Sequence, residues 1–433
     1  MKCRYACHSP EHQIARRQFL GGLAAGAGAV VGGLGVMARP AVAQQLAKDQ
    51  KRVIVIFMSG GLSQFESWDP KPKTDTGGPF RAIPTSVPGT HICELLPMTA
   101  QQMHRLAIVR SVNNNTNGHD RGRYRMEHGR DRRPGVKLPH LGVVAARALA
   151  PESTGLPDNG LPGHIRIANG GGGRSNDSAY LGPKYASMVL GNGNPPKNSA
   201  RPKSLTEAAD LSRNEFRRQA SDRFTARRRT AETDAYTHNY EQALQLMRQR
   251  HIFDMSQEPA NVQERYGKSN LGRHFLLARR LVENGITCVQ VSHAGYDTHN
   301  ENFNFHLEQL GEFDRPFSAL VSDLGDRGLL ESTLIVVMSE FGRSPKINRK
   351  YGRDHWGKSW SVVLGGGRIQ PGAVIGKTNK NGTAVTDREV DHAQLFHTYL
   401  QGISLDSHVP FDIGSRPVPM ADPACEGIQE LIV

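Results

Sequence analysis

The sequence predicts a doubly wound α/β fold, with a mostly parallel sheet, helices on both of its faces and a charged helical insertion. Two observations predict it. Short, apolar, β-branched runs recur along the chain: Val53 to Phe57, Leu106 to Val109, Ile286 to Val291, Leu334 to Met338 and Ser361 to Leu364. Such runs suit strands buried on both faces, as in a parallel sheet covered by helices. In the second half of the chain, amphipathic helical patterns precede the runs, helix then strand, twice over.

The order of elements begins with an expected leader over residues 1–43. Arg16 and Arg17 precede Gln18, Phe19 and Leu20, a glycine-rich, weakly apolar run reaches Met37, and Ala41-Val42-Ala43 offers a small-x-small cleavage site. The run is nominally long enough to span a membrane, but Gly21, Gly22, Gly26, Gly28, Gly32, Gly33 and Gly35 dilute it. The reading is a twin-arginine signal peptide, with the twin-arginine translocase as partner during export, a periplasmic or extracellular destination and no stable membrane span. Residues 44–433 then form a single domain. The leader accounts for +4 of the formal charge of +13, leaving +9, which favours anionic partners. Of five cysteines, Cys3 and Cys7 fall in the leader, and Cys93, Cys288 and Cys425 show no paired spacing. A disulfide framework or cysteine-based zinc site is therefore not expected.

Leu271 to Asn284 reads as a helix with Leu276, Leu277, Ala278, Leu281 and Val282 on one face and Gly285 as its C-terminal cap. Phe305 to Leu324 reads as a second, with Leu307, Leu310, Phe313, Phe317, Leu320 and Leu324 facing inward and Pro316 kinking or dividing it. Two stretches break the rhythm. Residues 151–200 are rich in Gly, Pro, Asn and Ser and read as a loop-rich insertion. Residues 204–250 are highly charged and helical, with Arg227, Arg228 and Arg229 consecutive. Acids including Glu207, Asp210, Glu215 and Asp222 interrupt that positive field, so a solvated helical insertion is expected there and nucleic acid is not.

The chemistry gathers after the strands, where an α/β sheet places its site. His293 to His299 follows one run, Ser339-Glu340-Phe341-Gly342-Arg343 another, and Gly352-Arg353-Asp354-His355-Trp356 precedes the last. Carboxylates and imidazoles at three such places form a ligand set for Zn²⁺ or Mn²⁺. A fourth cluster, His119 to Arg130, carries arginines at two-residue steps, able to clamp a tetrahedral anion or to pair with nearby acids. His392 and His397, on an apolar helix face, read as structural.

These motifs, together with Met58-Ser59-Gly60-Gly61 and Asp69-Pro70-Lys71-Pro72, resemble the domain of unknown function 1501 family, regarded as sulfatase-like within the alkaline phosphatase superfamily. The resemblance covers nearly all of residues 51–405. It implies an alkaline phosphatase-like fold and, by analogy, hydrolysis of sulfate or phosphate esters, with an anionic ester as substrate. It places a divalent metal ion (Zn, Mn, Ca or Mg) on Asp297, His299, Glu340 and His355, with Asp354 beside them. Where the superfamily puts a ligand after the first strand the chain has Ser59-Gly60, so Glu66 or Asp69 is expected to substitute. Arg123 falls on the arginine of the sulfatase pattern and His119 on its nucleophile. No Cys, Ser or Thr stands there, so formylglycine chemistry is not implied. His119 becomes a general acid or base, a nucleophile or a further ligand. The alternative is a non-catalytic anion- or metal-binding protein that keeps the fold and lacks the nucleophile.

Overall fold

A nine-stranded sheet organises the chain in the computed structural model, which describes residues 50–150, 160–169, 172–196, 199–227 and 230–433. The expected leader, 1–43, and Arg228 and Arg229 lie outside the described residues. In chain order the strands are β1 (Arg52–Ser59), β2 (Leu106–Val112), β3 (His164–Ala168), β4 (Gly173–Arg174), β5 (Met188–Gly191), β6 (Cys288–Ala294) and β7 (Thr333–Met338). A hairpin follows, β8 (Gly342–Ile347) and β9 (Arg353–Trp356), then β10 (Trp360–Gly365) and β11 (Val374–Ile375). The order across the sheet is β11-β2-β10-β7-β1-β6-β3-β5-β4. All but β10 and β4 run the same way, so the expectation of a mostly parallel sheet holds. Strand β10 is reversed because the hairpin, and no crossover helix, links it to β7, and a parallel neighbour requires a crossover.

Alternation along β1 divides the core. Val53, Val55 and Phe57 face one apolar layer and Ile54, Ile56 and Met58 the other. On the first side lie the carboxyl half of α1 (His119–His128), α2 (Leu141–Ala148) and α7 (His392–Gly402). On the second lie α5 (Asn270–Glu283) and α6 (Asn302–Asp326). Helices on both faces match the doubly wound pattern. His397 of α7 is fully buried between the Ser407 hydroxyl, 2.7 Å away, and the Asp422 carbonyl oxygen, 2.8 Å away, a structural histidine as expected.

Three local expectations are corrected. Residues 151–200 are not only loop: β3, β4 and β5 extend the sheet at one edge. These strands are short and lie in a stretch rich in Gly, Pro, Asn and Ser, so composition concealed Ile165, Ile167 and Leu190, all buried. Helix α6 runs unbroken through Pro316, because Leu310, Phe313, Phe317 and Leu320 bury fully on the sheet and hold both halves in line. Leu307 faces solvent rather than the core. The charged stretch forms α3 (Glu207–Arg227) and α4 (Ala231–Arg248), where Arg217 and Arg218 pair with Glu241. Among the described residues no helix is long and apolar enough to cross a membrane.

Candidate functional site: a histidine–carboxylate cluster

The adjacent strands β1, β6 and β7 end at one edge of the sheet, and their loops meet the β8–β9 hairpin and the first turn of α1 there. Strand β1 leaves through Gly60, at φ +119°, where a Cβ would stand 2.4 Å from the Asp297 amide nitrogen. Only a residue without a side chain lets the loop after β6 pass so close. That loop presents Asp297 and His299. Register in the hairpin sets Arg343 opposite His355, with Asp354 beside it. Helix α1 opens with His119 and turns Arg123 to the same side.

Asp297 is the hub. Its Oδ1 lies 2.6 Å from Arg343 Nη2, 3.0 Å from His355 Nε2 and 3.2 Å from His299 Nε2, and its Oδ2 lies 3.3 Å from His119 Nε2. Partial burial opposes ionisation of Asp297, but the hydrogen bond and charge of the Arg343 guanidinium outweigh it and hold the carboxyl below its usual range. Arg343 is fully buried and also donates to the Gly60, Gly61 and Arg353 carbonyl oxygens.

Each imidazole is anchored through Nδ1. His119 Nδ1 donates to Glu340 Oε1 at 2.7 Å, His355 Nδ1 to the Asn117 carbonyl oxygen at 2.7 Å, and His299 Nδ1 to Asp354 Oδ1 at 2.9 Å. These partners only accept, so the proton of each neutral ring sits on Nδ1 and the Nε2 lone pair points inward. The consequence is electrostatic. His299 Nε2 and His355 Nε2 stand 3.0 Å apart and both crowd Asp297 Oδ1, so three lone-pair atoms repel unless a proton or a cation lies among them. A histidine whose other nitrogen is held by a carboxylate or carbonyl is the usual arrangement of a metal ligand. The donor atoms of His119, Asp297 and His355 all lie within 4.8 Å of one another, so the residues present fit a borderline divalent cation.

Glu340 and Asp354, expected as ligands, are placed behind the imidazoles. Glu340 is buried, accepts from the Gly60 amide at 2.9 Å as well as from His119, and adjoins the Ser339 hydroxyl at 3.0 Å. Glu66 is not in the cluster. It is fully buried against Arg353, whose Nη2 lies 2.9 Å from Oε1, and accepts from Asn302 at 3.0 Å. Burial opposes its ionisation, yet Arg353 and His306 keep the carboxyl below its usual range. Asp69 is also elsewhere, bonded to Lys71 at 2.8 Å and to Thr378. In front of the cluster a cleft of about 530 Å³ is lined by Ser59, His119, Arg123, Asp297, Phe305 and Glu340. Arg123 lies over the Phe57 ring at 4.7 Å and donates to the Ser59 hydroxyl at 2.7 Å. Sequence reasoning gave no role to Arg343, Ser59 or the Asn117 carbonyl. An arginine just past a strand and a small residue before paired glycines were the signals available.

Fold and site together define a doubly wound α/β protein with a histidine–carboxylate cluster at the carboxyl ends of its central strands. The chain belongs to the family described as Protein of unknown function (DUF1501), which matches residues 50–432. Similar solved structures include a lipoteichoic acid synthase from Listeria monocytogenes, 6% identical over 87% of this chain and 76% of that one, with a TM-score of 0.39. A sulfatase from Pseudoalteromonas sp. is 14% identical over 86% and 73%, with a TM-score of 0.37. An alkaline phosphatase from the Antarctic bacterium TAB5 is 12% identical over 83% and 99%, with a TM-score of 0.36. No curated protein matches the chain.

Proposed function

We propose that the chain is an exported, metal-dependent hydrolase of sulfate or phosphate esters. The observation that carries this reading is the convergence of three Nδ1-anchored imidazoles on Asp297 at the floor of an open cleft. His119, Asp297 and His355 would hold the ion. A divalent ion bound there would polarise an ester oxygen and lower the pKa of a bound water. Arg123, on the cleft wall, would pair with the oxygens of the anion and stabilise charge developing on its central atom. His299 is nearly half exposed and fixed through Asp354, so it is suited to carry a proton at Nε2 between the cleft and solvent. Glu340 and Asp354 would fix ring orientation, and Arg343 would keep Asp297 ionised.

The test is turnover of a panel of sulfate and phosphate esters by purified, metal-loaded protein. The Arg123→Ala protein should lose roughly 100- to 1000-fold in kcat, the loss typical of removing one oxyanion donor. Unchanged turnover would remove Arg123 from the mechanism. The second reading, a non-catalytic binder, is favoured by the histidine at position 119. Stoichiometric metal without turnover of any ester would establish it.

Export rests on the Arg16-Arg17 leader. Replacing both by Lys should leave uncleaved precursor in the cytoplasm of fractionated cells, and undiminished periplasmic protein would refute this route.

A further inference from the structure

A second, larger cleft of about 950 Å³ opens at the other end of α1. The helix has ten residues, so its two ends lie roughly 15 Å apart at 1.5 Å per residue. His119 faces the first cleft, and Glu127 and His128 face the second.

The arginines of this segment fall into two groups. Arg121 and Arg125 pair with Asp131 at 3.2 and 2.6 Å, and Arg130 donates to the Pro419 carbonyl oxygen. Arg132, Arg133 and Lys137 are exposed at the rim of the second cleft and pair with no described carboxylate. Arg132 is nonetheless held in place. It lies 4.8 Å over the Tyr124 ring, which itself stacks on His128 at 4.1 Å. Stacking leaves its hydrogen-bond donors uncommitted. A tight turn at Gly135, closed by a bridge between Arg133 and Val136, sets the three cations around one opening.

Arg166 of β3 lines the same cleft. Its guanidinium stands 3.7 Å from Glu127 and 4.0 Å from Asp177, too far to hydrogen-bond either. Both acids also accept from neutral groups: Asp177 from the Ser187 amide and hydroxyl at 2.9 and 2.6 Å, Glu127 from Gln290 at 3.1 Å. His140 also lines the cleft and is 1% exposed. Its Nδ1 accepts from the Gly142 amide, so its proton is on Nε2, a buried donor whose nearest acceptor among the described residues is Glu127 at a long 3.6 Å. Four cations and a buried donor therefore outnumber the two carboxylates that line the cleft, leaving an excess of positive charge there.

We propose that this cleft is a second binding site, for a tetrahedral oxyanion, phosphate or sulfate, either free or carried on an ester. Arg166 forms its base and Arg132, Arg133 and Lys137 its rim. The site does not depend on the metal cluster or on hydrolysis.

Calorimetric titration of the full chain tests this with four probes: inorganic phosphate, inorganic sulfate, glucose 6-phosphate and glucose 6-sulfate. Binding of at least one probe should persist in the Asp297→Asn protein. It should weaken about 10-fold or more when Arg132, Arg133 and Arg166 are all changed to Gln, since losing a single charge-assisted contact can cost a factor of ten. Because Arg166 is partly buried, a rim-only pair, Arg132→Gln with Lys137→Gln, keeps the test open should the triple variant misfold. It should weaken binding about 3-fold or more, and Arg132→Lys should restore part of the loss. Tighter binding of the esters identifies a carried group, and equal affinity a free oxyanion; both support the site. The proposal is overturned if none of the probes binds, if binding vanishes with Asp297→Asn alone, or if the folded arginine variants bind like the unaltered protein.

Discussion

The Asp297→Asn and His355→Ala proteins should each bind divalent metal roughly 100-fold more weakly, or worse, with far-ultraviolet circular dichroism near that of the unaltered chain. Loss of a residue that merely orients a ligand commonly costs 10- to 100-fold in affinity, and these two supply the donor atoms themselves. The fold should survive because Asp297 lies in the loop after β6 and His355 is only partly buried in the short β8–β9 hairpin, outside the apolar layers of the core. In Asp297→Asn the amide oxygen still accepts from Arg343, so the buried guanidinium keeps a partner. Glu340→Gln acts through His119, so a roughly 10-fold loss is expected from it, whereas Asp354→Asn acts through His299, outside the ligand set, and should leave metal affinity nearly unchanged. Equilibrium dialysis with Zn²⁺ and Mn²⁺ measures the series. Full metal retention in Asp297→Asn and His355→Ala together would end the metal-site reading and leave the imidazoles as proton-sharing partners of Asp297.

Glu66→Gln should behave in the opposite way, losing stability and keeping metal. Glu66 and Arg353 have fully buried side chains. Breaking such a pair from one side leaves an unpaired buried charge and typically costs about 3–5 kcal/mol. Arg353 retains the Ser344, Pro345 and Thr76 carbonyl oxygens and the Phe65 ring, which favours the lower end of that range. A denaturant midpoint measured beside metal content separates this role from the ligand role expected for Glu66 from the resemblance. The further change Arg353→Met should be less than additive with Glu66→Gln, because it removes the charge the first change stranded. A Glu66→Gln protein of unaltered stability that loses its metal would restore Glu66 to the site.

Much of the site was legible in order along the chain. Asp297, His299 and His355 were chosen because polar clusters followed or flanked apolar runs, and parallel strands carry such clusters to one edge. The contacts that define their roles join residues far apart in sequence. His119 meets Glu340 across 221 positions, and Arg343 meets Asp297 across 46. Local patterns hold no record of such pairings, so Glu340 read as a ligand although its carboxylate is bonded to His119 and to the Gly60 amide. Glu66 shows the same limit: three residues past Ser63 on a tight loop, it could turn toward the cluster or toward Arg353, and only packing selects Arg353.

The sequence by itself determined the strands buried on both faces, the helices on each side of the sheet, and the gathering of acids and histidines at one edge, because burial and periodicity are local properties that each segment carries. Only the tertiary structure decided that β10 runs antiparallel, that residues 164–191 contribute edge strands, that α6 passes straight through Pro316, and which nitrogen of each imidazole faces Asp297. Those outcomes depend on the partner each segment meets: a neighbouring strand, a packed apolar layer, or an acceptor that holds Nδ1 and leaves Nε2 turned inward.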